Sequence, residues 1–315
     1  MVRLITAAIL LATVLPVTGE ARAIAQFVSN AAVFVLFLLY GLRLSRREVL
    51  AGLGNHRLLV PLVLWVFGAM TLAGWGLWQA GSAFLPPLLA LGFLYLGALP
   101  STVQSATAYS SLAGGNVASS VVAAALINIL GVFVSAPLFS LLAGSHGAVF
   151  HTDQLVKVAT MLLLPFVAGQ ILQGFTRTWV SGHRSLITTM DRASIGIAVY
   201  VAFSGAVEQG IWGKVDGAGW AGMLFGCALA MVFGYAGAWF LGAALRLPRG
   251  DRIAMLFAGA QKSVAMGAPL ATVIFPAASA GIVILPLLVY HLVQMIVAAP
   301  MATRLRGEGG VVPAH

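Results

Sequence analysis

The sequence predicts an all-α polytopic membrane protein whose ten transmembrane helices form two inverted five-helix repeats. Three observations lead there. With 60% hydrophobic and 8% charged residues and a mean hydropathy of +1.00, the chain cannot present a soluble surface. Its positive residues fall on alternate connections between apolar stretches. Two otherwise apolar segments about half a chain apart, 99–115 (LPSTVQSATAYSSLAGG) and 257–271 (FAGAQKSVAMGAPLA), are interrupted by clustered polar residues.

The spans follow in order. The first, 4–16, is short and also resembles a signal peptide, because Arg3 precedes an apolar run and Ala21-Arg22-Ala23 offers a small-x-small site. Apolar runs at 24–42 and 58–78 give the second and third. The fourth, 84–114, is broken near Pro100, and the fifth, 117–142, starts after Gly114-Gly115-Asn116, a tight helix end and cap. After a loop come 155–173, 186–207 and the glycine-rich 218–245. The ninth, 252–275, is broken near Gln261, and the tenth is 278–301. No loop is long enough for a folded soluble domain. Residues 1–315 therefore form one membrane domain, with repeat 1 at about 1–145, repeat 2 at about 150–305 and a cytoplasmic tail at 306–315.

Charge fixes the orientation. Arg3, the group from Arg43 to Arg57, Arg177, Arg184, Arg192, Arg246, Arg249, Arg252, Arg304 and Arg306 fall on one side, and Arg22, Lys157 and Lys214 on the other. Thirteen against three places both termini in the cytoplasm. Five spans is an odd number, so the second half must be inverted relative to the first. The net charge of +9 is explained by these loops, so nucleic acid is not an expected partner; the lipid bilayer is. The single cysteine, Cys227, is expected as a packed thiol.

Lys262 is the residue that most needs explaining. A lysine at bilayer depth costs about 2.5–3.5 kcal/mol even on the lenient insertion scale, so it faces a cavity or a partner. The facing group is expected from 99–115, where Thr102, Gln104 and Ser105 lie and where Ser105 pairs with Ser263 at an offset of 158. Asn128 in the fifth span, and His291 and Gln294 three residues apart on one face of the tenth, complete the candidate network. Gln261, Lys262, Ser263, Thr102, Gln104 and Ser105 are read as lining at the two breaks, with Lys262 as charge compensator or proton carrier. The blander readings stand beside these. Lys262 as a structural tether, the amides and hydroxyls as caps for freed backbone groups, His291 as a hydrogen-bonded core histidine and Asn128 as an interhelical bond fit the sequence too. Asp191 and Glu208 are read as interfacial, and His146, His151 and Asp153 as too loosely spaced for a metal site. No cofactor is expected. Paired carboxylates, zinc-type histidine spacing, a nucleophile elbow and a phosphate loop are all missing, which argues against an enzyme.

The segments LPSTVQSATAYSSLAGGNVASSV and FAGAQKSVAMGAPLATVIFP resemble the two signature segments of the bile acid:sodium symporter superfamily, in particular its SBF-like branch, within the cation–proton antiporter clan. GLRLSRREVLAGL and VYHLVQMIV fit that branch as well. The resemblance implies a panel domain, a core domain, and fourth and ninth helices that are broken and cross near the bilayer midplane. It also implies a secondary transporter in a bacterial inner membrane, working by alternating access. The family's sodium ligands carry over only in part. Phe257 stands where the symporters' carboxylate would be, in Phe257-Ala258-Gly259-Ala260-Gln261, and Lys262 replaces an asparagine. The upstream pair falls on Ala106-Thr107, and the downstream hydroxyls on Ser120 and Ala124.

A small organic anion is the expected substrate, because half-helix N-termini add positive potential at the same depth. A proton or sodium is the coupling ion, with a sodium-coupled bile acid-like symporter and a non-transporting membrane regulator as the alternatives. The orientation is directly testable. A reporter enzyme that is active only outside the cytoplasm, fused after Arg306, is expected to be silent; activity there would reverse the assignment.

Overall fold

The structure, a computed structural model, describes residues 2–43, 54–144, 159–208, 210, 213 and 215–307. Arg46, Arg47, Lys157, Lys214, most of the GLRLSRREVLAGL stretch, the 308–315 end of the tail, and His146, His151 and Asp153 lie outside the described residues. Helices account for nearly all the regular structure, and no strand occurs among the described residues. In chain order they are α1 (Val2–Val14), α2 (Ala21–Arg43), α3 (His56–Gly81), α4 (Pro87–Ala98), α5 (Val103–Leu112), α6 (Val117–Ala143) and α7 (Leu164–Gly182). Then follow α8 (Arg184–Glu208), α9 (Gly217–Ala244), α10 (Arg249–Ala260), α11 (Val264–Ile274), α12 (Ala277–Val283) and α13 (Leu285–Gly307).

Six helices are long and apolar enough to cross a bilayer: α2, α3, α6, α8, α9 and the run Ala278–Arg306. The pair α4 and α5, bent by 61° at the break, makes a seventh. The other three expected spans fall on α1, α7 and α10–α11, which do not qualify on length and apolarity among the described residues; 155–158, the start of the sixth expected span, lie outside those residues. The reasons are local. α1 has 13 residues, about 20 Å of helix against about 30 Å of hydrocarbon. α7 carries Arg177, and α10 opens on Arg249, Asp251 and Arg252.

Both breaks occur where the sequence places them. Pro100 disfavours helical geometry at Leu99, which is extended at φ −80°, ψ 150° and ends α4. The second break has no proline. Gln261 (φ −75°, ψ 149°) and Ser263 (φ −93°, ψ 107°) are extended, and Ser263 caps α11 by accepting from Met266 N–H at 3.2 Å. Thr102 is the N-cap residue of α5 as Ser263 is of α11, and Ser105 lies in the first turn of α5.

Contacts divide the helices into two groups. α2 packs on α7 and α8, and α1 on α8. α3 packs on α4, α5 on α6, α9 on α10, and α13 on α4, α5 and α9. α11 and α12 reach from the second group to α8 in the first. Small residues allow the closest crossings. A Cβ on Gly74 would lie 2.4 Å from Phe93 O and one on Gly97 2.6 Å from Met70 O; at the α2–α7 crossing, Gly41 faces Phe166 O at 2.2 Å. Ion pairs tie α2 to α8 at both ends and set them antiparallel: Arg22 with Glu208, and Arg43 with Asp191. Asp191 is buried and paired. Where α3, α6 and α10 begin, Asp251 accepts from Asn55 at 3.1 Å and Asn116 at 2.7 Å, while Asn116 caps α6. Gly114 has φ +73°, as a tight helix end requires. Cys227 is buried, its thiol directed at Pro286 O.

The α3–α4 crossing yields a prediction. Gly74→Ala is expected to lower thermal stability in detergent, by about 1–3 kcal/mol from overpacking against backbone. Gly76→Ala, which meets nothing within 4 Å, is expected to be neutral.

Candidate functional site

Breaking a helix inside a bilayer frees carbonyls and N–H groups that no water can satisfy, so each must find a partner in the protein. At the first break the partner is Lys262. Its Nζ donates to Gly97 O and to Leu99 O, each at 2.7 Å, and the residue is 0% exposed. The ammonium therefore sits on the C-terminal end of α4, where the helix dipole places partial negative charge.

The remaining carbonyls are engaged in the same way. Thr71 adds a second donor to Gly97 O at 3.3 Å, Ser263 N–H donates to Pro100 O at 3.0 Å, and Asn128 Nδ2 donates to Ser101 O at 2.7 Å. At the second break Tyr290 Oη donates to Ala260 O at 2.6 Å, and Gln294 Nε2 donates to Lys262 O at 3.0 Å. Gln294 Oε1 accepts Lys262 N–H at 2.8 Å, so this one side chain replaces both backbone partners of residue 262. Tyr95 Oη donates to Gly267 O at 2.6 Å and joins α4 to α11.

Side chains bridge the breaks as well. Gln261 Oε1 accepts from Thr102 Oγ1 at 2.6 Å and from Ser105 Oγ at 2.5 Å. His291 Nδ1 lies 2.8 Å from Gln294 Nε2 and 3.3 Å from Lys262 O. Among the buried polar atoms left without a hydrogen-bond partner are two nitrogens, Gln261 Nε2 and His291 Nε2, and the hydroxyls of Ser101, Thr107 and Tyr235. Tyr235 interacts with the Gln261 side chain only loosely, outside hydrogen-bonding geometry. Two of these five groups can only donate in their present state, and the carbonyls named above are all taken.

The structure brings together Thr102, Ser105, Gln261, Lys262, Ser263, Asn128, His291 and Gln294. It does not bring in Gln104, which is exposed on the first turn of α5. One residue's difference in helical phase separates it from Ser105, which turns toward Gln261. Phe257 is fully buried with its ring 5.8 Å from that of Tyr109 and 6.4 Å from that of Tyr235, and Ser120 donates to Ser110 at 3.1 Å. No cluster of three or more His, Cys, Asp or Glu side chains able to hold a metal ion occurs among the described residues.

Sequence reasoning missed Thr71, Tyr95 and Tyr290. Tyr290 had a signal, since it stands four residues before Gln294 on the same face. Thr71 and Tyr95 had none, because what they bind is backbone of a distant segment.

Comparisons with known proteins identify the family. The model of the SBF-like CPA transporter family matches residues 1–307. Among relatives, an uncharacterized protein of Pseudomonas aeruginosa is 37% identical over 299 residues, covering 95% of this chain and 90% of its own length. A protein of Escherichia coli named "Putative symporter YfeH" is 37% identical over 306 residues, with the same coverage. The mouse protein named sodium/bile acid cotransporter 7 is 22% identical over 288 residues, covering 89% of this chain and 83% of its own. With its apolar helices and these relatives, the chain is a multi-pass membrane transporter rather than an enzyme, and it belongs to the SBF-like CPA transporter family.

Proposed function

We propose that this protein is a secondary active transporter that moves a small organic anion across the inner membrane by alternating access without sodium, Lys262 serving as a fixed substitute for the cation. The observation that carries this reading is the fully buried Lys262 ammonium bonded to Gly97 O and Leu99 O. A mobile cation at the crossing would need oxygen ligands, and the fixed charge occupies two of them permanently. The buried carboxylate that would attract sodium is replaced by Phe257.

The anionic substrate follows from what is left over. Uncommitted N–H groups of Gln261 and His291, a fixed positive charge and the N-termini of α5 and α11 all favour an acceptor-rich, negative group. The architecture in this reading is ten spans in two inverted repeats. α1, α2, α7 and α8 form the panel, and the rest form a core that carries the crossing. Both termini are cytoplasmic, as the charge distribution requires.

Two measurements test it. In a thermal-shift screen of the purified protein against bile acids, pantothenate-like acids and other organic anions, with and without sodium, at least one anion is expected to stabilise the protein equally in both. Stabilisation that depends on sodium would restore the sodium-coupled alternative. Lys262→Met is expected to lower stability by about 1–3 kcal/mol, because Leu99 O loses its donor, and to abolish the anion's effect. If that variant keeps the full ligand response, the lysine is a tether and no part of the site.

A further inference from the structure

We propose that His291 is the proton-binding site of the crossing and that Gln294 transmits its state to the main chain at residue 262. The inference rests on the transporter reading for its purpose, since it would make a proton the coupling ion.

The Gln294 amide has one workable orientation. Lys262 N–H donates to Oε1 at 2.8 Å, and exchanging oxygen for nitrogen there would set two donors face to face. Nε2 is thereby fixed 3.0 Å from Lys262 O and 2.8 Å from His291 Nδ1, one proton for each. Nδ1 must then accept. The imidazole is neutral, its own proton is on Nε2, and that N–H has no partner although the residue is only 5% exposed.

A proton arriving at Nδ1 would point at the amide donor of Gln294. Two donors would then face each other at 2.8 Å, so the Gln294 amide has to withdraw while Nδ1–H turns to Lys262 O, 3.3 Å away. Withdrawal of the amide removes the acceptor of Lys262 N–H as well. Protonation thus exchanges one satisfied network for another in which the extended residues 261–263 lose an anchor.

Lys262 is the titratable neighbour in direct contact with His291, and the Lys262→Met arm below separates the two. From the helix break comes Lys262, whose ammonium is committed to Gly97 O and Leu99 O. α4 contributes Tyr95, α5 Tyr109, α9 Cys227 and Tyr235, and its own helix Tyr290; the hydroxyls of Tyr95, Tyr109 and Tyr290 donate to backbone carbonyls. Among the described residues the carboxylates lie elsewhere: Glu20 exposed just before α2, Asp191 and Glu208 with arginines of α2, Asp216 at the start of α9, and Asp251 between Asn55 and Asn116. In this arrangement Lys262 is the constant charge and His291 the variable one.

Hydrogen–deuterium exchange of the full chain in lipid nanodiscs tests this without any substrate, so its failure is separate from failure of the anion reading, which the ligand screen decides. Protection of the 257–266 segment, corrected for the intrinsic pH dependence of exchange, is expected to fall about tenfold between about pH 8 and about pH 5 in the wild type, as for loss of one ordinary buried hydrogen bond. His291→Asn, whose side-chain oxygen can accept from Gln294 in place of Nδ1 and cannot take up a proton, is expected to hold its protection across that range. Lys262→Met is expected to keep the pH response. A flat wild-type profile, a wild-type-like response in His291→Asn, or loss of the response in Lys262→Met would each overturn the proposal.

Discussion

A peptide carbonyl released from a helix inside a bilayer has no water to turn to, and the cost of leaving it bare is high enough to dictate everything built around it. In this protein two helices are broken where they meet, and several of the groups freed at each break are satisfied from the other. Lys262 closes the end of α4, Ser263 N–H takes Pro100 O, and Gln261 gathers the hydroxyls of Thr102 and Ser105. Neither half could be broken alone. The last helix then fixes the geometry from behind through Tyr290, His291 and Gln294.

This division of labour bears on transport. A crossing neutralised by a bound ion loses its stabilising charge whenever the ion leaves, whereas in the proposed reading Lys262 keeps its charge in place. The conformational signal would then come from something other than occupancy of that position. In the proposed scheme the His291–Gln294 pair has two mutually exclusive hydrogen-bond arrangements, and such bistability is what a coupled transporter needs. The two-group packing of the helices, joined through α11 and α12, supplies surfaces along which one group can move against the other.

Much of this was legible in the residues. The interruption of an apolar run by Gln261-Lys262-Ser263 announced a break and a buried charge, Pro100 announced the other, and the Gly114-Gly115-Asn116 helix end was read as it stands. His291 and Gln294 were visible as polar residues on one face of an apolar helix. Gln104 shows the limit. It is as polar as Ser105 and adjacent to it, yet it is exposed while Ser105 bonds across the crossing, because helical phase near a break depends on where the break ends.

What the sequence determined by itself was the membrane class and the fact that a lysine had to be accommodated within an apolar segment, since both follow from transfer free energies that belong to each residue type. What only the tertiary structure decided was the partners. That Lys262 holds Gly97 O and Leu99 O, that Tyr95 and Thr71 take part, and that the imidazole of His291 is left with one bare N–H depend on main-chain atoms whose positions no side-chain alphabet encodes. Backbone carbonyls are the same in every residue, so which of them is waiting for a donor becomes known only once the chain has crossed itself.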